Sequence, residues 1–126
     1  MHGIPVFRPG TSDFKLINAA LASYVFQISP GYLEAANTRL LSGRDVSWQD
    51  SPKTPYVAVV NQTFAQKMWS DSPAIGQHFI VSSHLTEVVG VVEDGKYHDL
   101  EESPQPVVLS QFLSHAAIFK RSFLAS

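Results

Sequence analysis

Residues 86–96 read TEVVGVVEDGK, and the fold turns on this stretch. Val88, Val89, Val91 and Val92 make an almost unbroken β-branched run around Gly90, with Glu87, Glu93 and Asp94 as polar ends. A run this short and this apolar fits a strand buried on both faces; a buried helix would need more length. The remainder of the chain supplies what packs on it.

Working outward, residues 56–60 (YVAVV) form a second buried strand. Asn61 then caps a helix over 62–70, where Phe64, Ala65, Met68 and Trp69 make one stripe that faces the sheet. Residues 72–76 (SPAIG) end the helix and reverse the chain at Gly76. Residues 77–81 and 85–93 are expected to pair as a hairpin through Ser82, Ser83 and His84. Beyond the central strand, Asp94 and Gly95 signal a turn, residues 96–106 are polar, and residues 106–109 (PVVL) read as a last strand.

Nearer the start, residues 22–29 (ASYVFQIS) alternate as a strand. Ser29 and Pro30 open a helix over 31–37, since serine accepts from free backbone N–H groups and proline has none to leave unpaired. Tyr32, Leu33 and Ala36 would face the core. Residues 40–45 (LLSGRD) leave that helix through a glycine turn, and residues 48–55 (WQDSPKTP) form a polar, proline-bounded loop. Residues 1–13, with two prolines and two glycines, read as loop. The domain reading is a single unit over 1–126, with a lead-in over 1–21, an α/β core over 22–109 and a tail over 110–126. The tail's apolar pattern fits a helix and an irregular segment equally. The fold class is α+β: a small mixed β-sheet with two short helices packed on it and a β-hairpin.

Composition narrows the function classes. The chain has 126 residues, 44% hydrophobic and 16% charged, with a formal net charge of −2 and no block of like charges. That balance is globular and argues against nucleic-acid binding, which needs a basic stripe. With no cysteine, disulfides, thiolate zinc sites and cysteine nucleophiles are excluded. No run approaches the ~18 apolar residues that span a bilayer, and residues 1–10 (MHGIPVFRPG) lack a secretory pattern. Such a chain is expected in the cytoplasm if it is a whole gene product; as part of a longer protein its compartment stays open.

No chemical constellation emerges. His2, His78, His84, His98 and His115 are scattered, and His78 and His84 are too far apart on the hairpin to share a metal. Glu93, Asp94, Asp99, Glu101 and Glu102 lack calcium-loop spacing. No GxSxG motif or phosphate loop occurs. No catalytic residue, cofactor or metal is therefore expected. Glu93 and Asp94, at the end of the central strand, leave a stand-alone ligand-binding protein or simple acid/base enzyme as the alternative.

ISPGYLEAAN, LLSGRD with Trp48, Gln49 and Asp50, PYVAVVNQTFAQKMW, SPAIGQHF, TEVVGVVEDGKYHDL and PQPVV occur in that order. Together they resemble the extracytoplasmic (periplasmic) core domain of MacB/FtsX-type ABC-transporter permeases, mainly its small α/β-rich insertion, over residues 24–108. The resemblance implies a non-catalytic interaction and motion-transmitting module on the outer face of the bacterial inner membrane, serving export or signalling. It also implies partners: a cytoplasmic ATPase, a second permease copy and a periplasmic adaptor, with the membrane reached only through flanking helices of the intact protein. Two departures stand out. Leu33, Ala36, Asn37 and Thr38 differ from the family's usual helix end, and residues 109–126 do not follow its usual continuation.

Long polar loops on a rigid sheet usually carry contacts. Partner contacts are therefore expected at Trp48, Gln49 and Asp50 and at Lys96, Tyr97 and His98. Trp48 has two readings, an exposed interface anchor or a side chain folded back onto the core.

Overall fold

Nine residues, His84–Val92, form the longest described strand, and a closed sheet is organised around it. The computed structural model describes residues 3–50, 55–94 and 105–112. Its strands are β1 (Ile4–Phe7), β2 (Leu21–Gln27), β3 (Leu40–Gly43), β4 (Tyr56–Asn61), β5 (His78–Val81), β6 (His84–Val92) and β7 (Val107–Ser110). Two α-helices, α1 (Tyr32–Ala35) and α2 (Gln62–Trp69), accompany them. The class is the expected mixed α+β.

The strand order is β3-β6-β4-β7-β2-β1-β5, and β5 pairs back onto β6. Six strands thus close into a barrel, with β3 added on the outside of the ring. One edge of β6 takes β4 in parallel from Thr86 to Val92. The other edge is shared by β5, opposite residues 84–87, and β3, opposite residues 90–92. Between those two partners, Val88 bonds to the chain just before β5: its carbonyl accepts from Gly76 N and its N–H donates to Gln77 O, both at 2.9 Å. The central strand therefore leaves few backbone groups without a partner.

Burial on both faces follows from this placement. Val6, Val25, Ala58, Val60, Phe79, Val81, Val88 and Val108, at least one from each ring strand, fill one core together with Phe64 and Met68 of α2. Phe64, Phe79 and Trp69 pack there as mutually tilted rings, with centroids 4.9 to 6.5 Å apart. On the opposite face, Val59, Val92, Val107 and Leu109 pack under Leu33 of α1 and Val46. A bulge reconciles the two cores: Ala58 pairs with Val88 but Val59 pairs with Gly90, leaving Val89 as an extra residue. The side-chain alternation flips there, so Val91 rather than Gly90 joins Val88 in the inner core. Gly90 lies opposite Gly43, and a Cβ on either residue would strike backbone of the facing strand. The two glycines are what let β3 approach.

Several local expectations change. Residues 4–7 are not loop but β1, paired with both β2 and β5; the Gly and Pro density hid a strand whose Val6 and Phe7 are buried. Pro5 is tolerated at the beginning of so short a strand. Residues 40–43 are likewise not a turn but strand β3, with Gly43 at φ +75° as its last residue. All four β3 residues are exposed, so no apolar alternation announced it. The first helix covers only Tyr32–Ala35. Gly31 (φ +94°), not the Ser29 side chain, occupies its N-cap, and Ser29 contributes only its carbonyl, to Tyr32 N. At the other end Thr38 N donates to Leu33 O and Asn37 N to Glu34 O, with Asn37 at φ +58°, a left-handed stop. Of the three residues assigned to the core, only Leu33 is buried.

The second helix starts as expected and does more than expected at its cap. Asn61 is 1% exposed. Its Oδ1 accepts from Phe64 N and from Val107 N, both at 3.0 Å, and its Nδ2 donates to Gln105 O at 2.8 Å. One amide therefore ties the end of β4, the start of α2 and the entry to β7. Asn61→Ala removes a helix cap and leaves buried backbone groups unpaired, so stability should fall by about 3 kcal/mol. Gln62→Ala, exposed in the next position, should change it by less than about 0.5 kcal/mol. Urea unfolding of both variants checks the contrast.

Candidate interaction surface

Residues 44–50, which follow β3, hold Trp48 outward. Val46 is buried in the outer core and anchors the segment. Asp50 folds back beneath the turn: its carboxylate takes Arg44 Nη2 at 2.9 Å and Nη1 at 3.3 Å, and also Ser47 N at 2.7 Å. The Asp50 side chain is 9% exposed and that of Arg44 50%. Asp45 accepts from Val46 N at 2.6 Å and from Gly31 N at 3.3 Å, which joins this segment to the start of α1. Gln111, just past β7, donates to Ser47 O. With its neighbours fixed this way, Trp48 stands 76% exposed. Of its two readings, the outward one is the structure's.

Beside Trp48 lies an open cleft of about 770 Å³, bounded by residues 27–32, Ala35, Trp48, Gln111 and Phe112. Not one of these side chains is charged. Tyr32, 40% exposed, and Phe112 add two more aromatic rings to its wall. Gln27 donates to Gln111 O at 2.9 Å and so fastens β2 to the segment leaving β7 at the cleft floor. The surface is uncharged, aromatic and amide-bearing: it can bind by shape and apolar contact, and it offers no reactive group.

Of the expected contact residues, Trp48 and Gln49 are exposed on one turn, whereas the Asp50 carboxylate is occupied in shaping that turn. Lys96, Tyr97 and His98 lie outside the described residues. The sequence reading missed Tyr32, Gln111 and Phe112 as surface-forming residues. Tyr32 was grouped with the buried Leu33 beside it in the helix, and Gln111 fell in the undecided tail.

The carboxylates at the end of the central strand are taken up by backbone. Glu93 accepts from Arg39 N and Asp94 from Thr63 N, in the first turn of α2, both at 2.9 Å. These bonds give both side chains a structural task, as β3 attachment and helix-start stabiliser respectively. His78 pairs opposite Glu87 while His84 pairs opposite Val81, and the His84 ring packs 4.8 Å from Tyr56. Among the described residues no group of three His, Asp or Glu could hold a metal.

Known proteins give a consistent comparison. The family model for the MacB-like periplasmic core domain matches residues 5–120. The periplasmic region of MacB from Actinobacillus actinomycetemcomitans superposes with a TM-score of 0.62 at 17% identity, over 89% of this chain and 44% of that one. The extracellular domain of the noncanonic ABC-type transporter YknZ from Gram-positive bacteria gives 0.53 at 16% identity, over 79% of this chain and 46% of that one. At such identities the likeness is one of fold, and the chain spans less than half the length of either structure. No match is found among curated proteins.

Two substitutions separate the roles within the turn. Trp48→Ala should leave the unfolding free energy within about 0.5 kcal/mol of the parent, as exposed substitutions do. Asp50→Ala should lower it by about 1–2 kcal/mol, because Ser47 N and the Arg44 guanidinium lose a charged acceptor, an effect moderated by Arg44's exposure. Thermal or urea unfolding of the pair measures both.

Proposed function

The chain belongs to the family of MacB-like periplasmic core domains, and on that premise we propose that it transmits motion and docks partners for the permease that carries it. The domain is extracytoplasmic, non-catalytic and of the ABC-permease class. The observation that carries the proposal is the family match across residues 5–120, on a fold shared with two transporter domains. The geometry supports it. A closed sheet with two cores presents an exposed tryptophan beside an uncharged cleft.

In this reading the intact permease pairs with a cytoplasmic ATPase and with a second permease copy, and the outer domains meet a periplasmic adaptor. Trp48 and Gln49 are the contact residues on the described surface, with Asp50 holding their turn in place. Lys96, Tyr97 and His98 are proposed as a second contact segment. Export or signalling is the output, with the nature of the cargo set by the parent protein. The alternative, a stand-alone ligand-binding protein or simple acid/base enzyme, is the weaker reading, since one oxygen each of Glu93 and Asp94 serves a backbone N–H.

The chain's lack of cysteine offers a direct test. In a cysteine-free parent permease in intact cells, Gln49→Cys should react with a membrane-impermeant maleimide that reaches the outer face of the membrane. Labelling only after lysis would contradict the placement. In the same parent, Trp48→Ala should reduce the transport or resistance phenotype severalfold at unchanged protein level. An unchanged phenotype would remove the contact role from Trp48.

A further inference from the structure

The described chain ends on the wall of the cleft beside Trp48. Phe112 is the last described residue, and it lines that cleft. Its position is fixed from several sides. Gln111 donates through Nε2 to Ser47 O, and its own carbonyl accepts from Gln27 Nε2 at 2.9 Å. Phe112 N donates to Ser110 Oγ at 3.4 Å, and its ring centroid lies 6.1 Å from that of Tyr56. Consecutive Cα atoms are only about 3.8 Å apart, so Leu113 starts at the cleft wall. Whatever residues 113–126 do, they set out from there.

The chemistry of that segment matches the cleft. Residues 113–126 read LSHAAIFKRSFLAS, with Leu113, Ile118, Phe119, Phe123 and Leu124 among them and no acidic residue. Lysine and arginine are absent before Lys120, so residues 113–119 can enter a cleft without charged side chains and desolvate no such ion. The family match runs to residue 120, which counts this stretch with the domain itself. Left in water, its aliphatic and aromatic surface costs about 25 cal/mol per Å². Attachment decides between this occupant and a free one. A segment joined to the cleft wall by one peptide bond meets it at an effective concentration in the millimolar range, above that of most free partners. We propose that residues 113–119 fold back into the cleft and cover it whenever no partner is bound. Resting on the contact reading of this surface, the segment is then a built-in competitor, which a partner engaging Trp48 and the cleft displaces.

A thiol placed in the cleft reads this out in the full chain, which has no cysteine of its own. Ala35 lines the cleft on α1, so the rate at which N-ethylmaleimide modifies Ala35→Cys reports whether the cleft is covered. The rate should rise severalfold when Ile118→Asp and Phe119→Asp are added, because carboxylates cannot enter an uncharged cleft without loss. Leu113→Asp alone should raise it too, and it decides the matter if the double variant does not fold. Gln49→Cys, next to Trp48 but off the cleft wall, should react at one rate in all these backgrounds. Equal Ala35→Cys rates with and without the aspartates would overturn the proposal. So would protection that disappears on dilution, which would assign the segment to the cleft of a second copy. Either failure leaves the permease reading standing, since labelling in intact cells tests that reading separately.

Discussion

The side-chain amide of Asn61 is the interaction on which most of this architecture depends. β4 is paired on both edges, with β6 and with β7, and α2 begins where β4 ends. A chain that leaves a central strand and enters a helix at once exposes free N–H groups inside the molecule. Asn61 accepts from one of them, accepts from the first N–H of β7 and donates to the carbonyl two residues before β7. Buried polar groups are tolerable when every bond is made, and costly otherwise. The same amide therefore sets where α2 lies over the inner core and where β7 enters between β4 and β2. Ring closure through β2, β1 and β5 builds on that placement.

The parts of the fold legible in the sequence were those with an apolar period or a capping residue. The Val88–Val92 run, the alternation of residues 22–29, the stripe of α2 and the Asn61 cap all appear in the structure close to their expected bounds. The hairpin does too, its turn narrowed to Ser82 and Ser83, both at positive φ. β1 and β3 were illegible for opposite reasons. β1 has buried side chains but carries Pro5 in a four-residue strand preceded by Gly3, whereas β3 is extended only because Gly43 and Gly90 let it lie close to β6. Closure of the sheet was illegible for a related reason, since it requires β1, and long-range pairing leaves no local mark.

The candidate surface was partly legible. Trp48 stood out as an aromatic residue in a polar loop, but its exposure depends on bonds between distant segments: Arg44 with Asp50, Asp45 with Gly31, and Gln111 with Ser47. No motif encodes those pairings. The acidic residues show the reverse. Glu93 and Asp94 invite a catalytic reading from sequence, and the structure uses them to fasten β3 and to start α2.

The closed sheet and the exposed Trp48 beside an uncharged cleft are consistent with the proposed role as an extracytoplasmic module of an ABC-type permease. The most direct measurement of that claim is the sequence of the reading frame on both sides of this chain in its source DNA. A permease domain requires an apolar helix of at least about 18 residues before it and further spans after it. Finding them is the predicted result, and a gene encoding an ABC ATPase alongside would extend it. A reading frame with no apolar span on either side would contradict the account and leave only a shared fold.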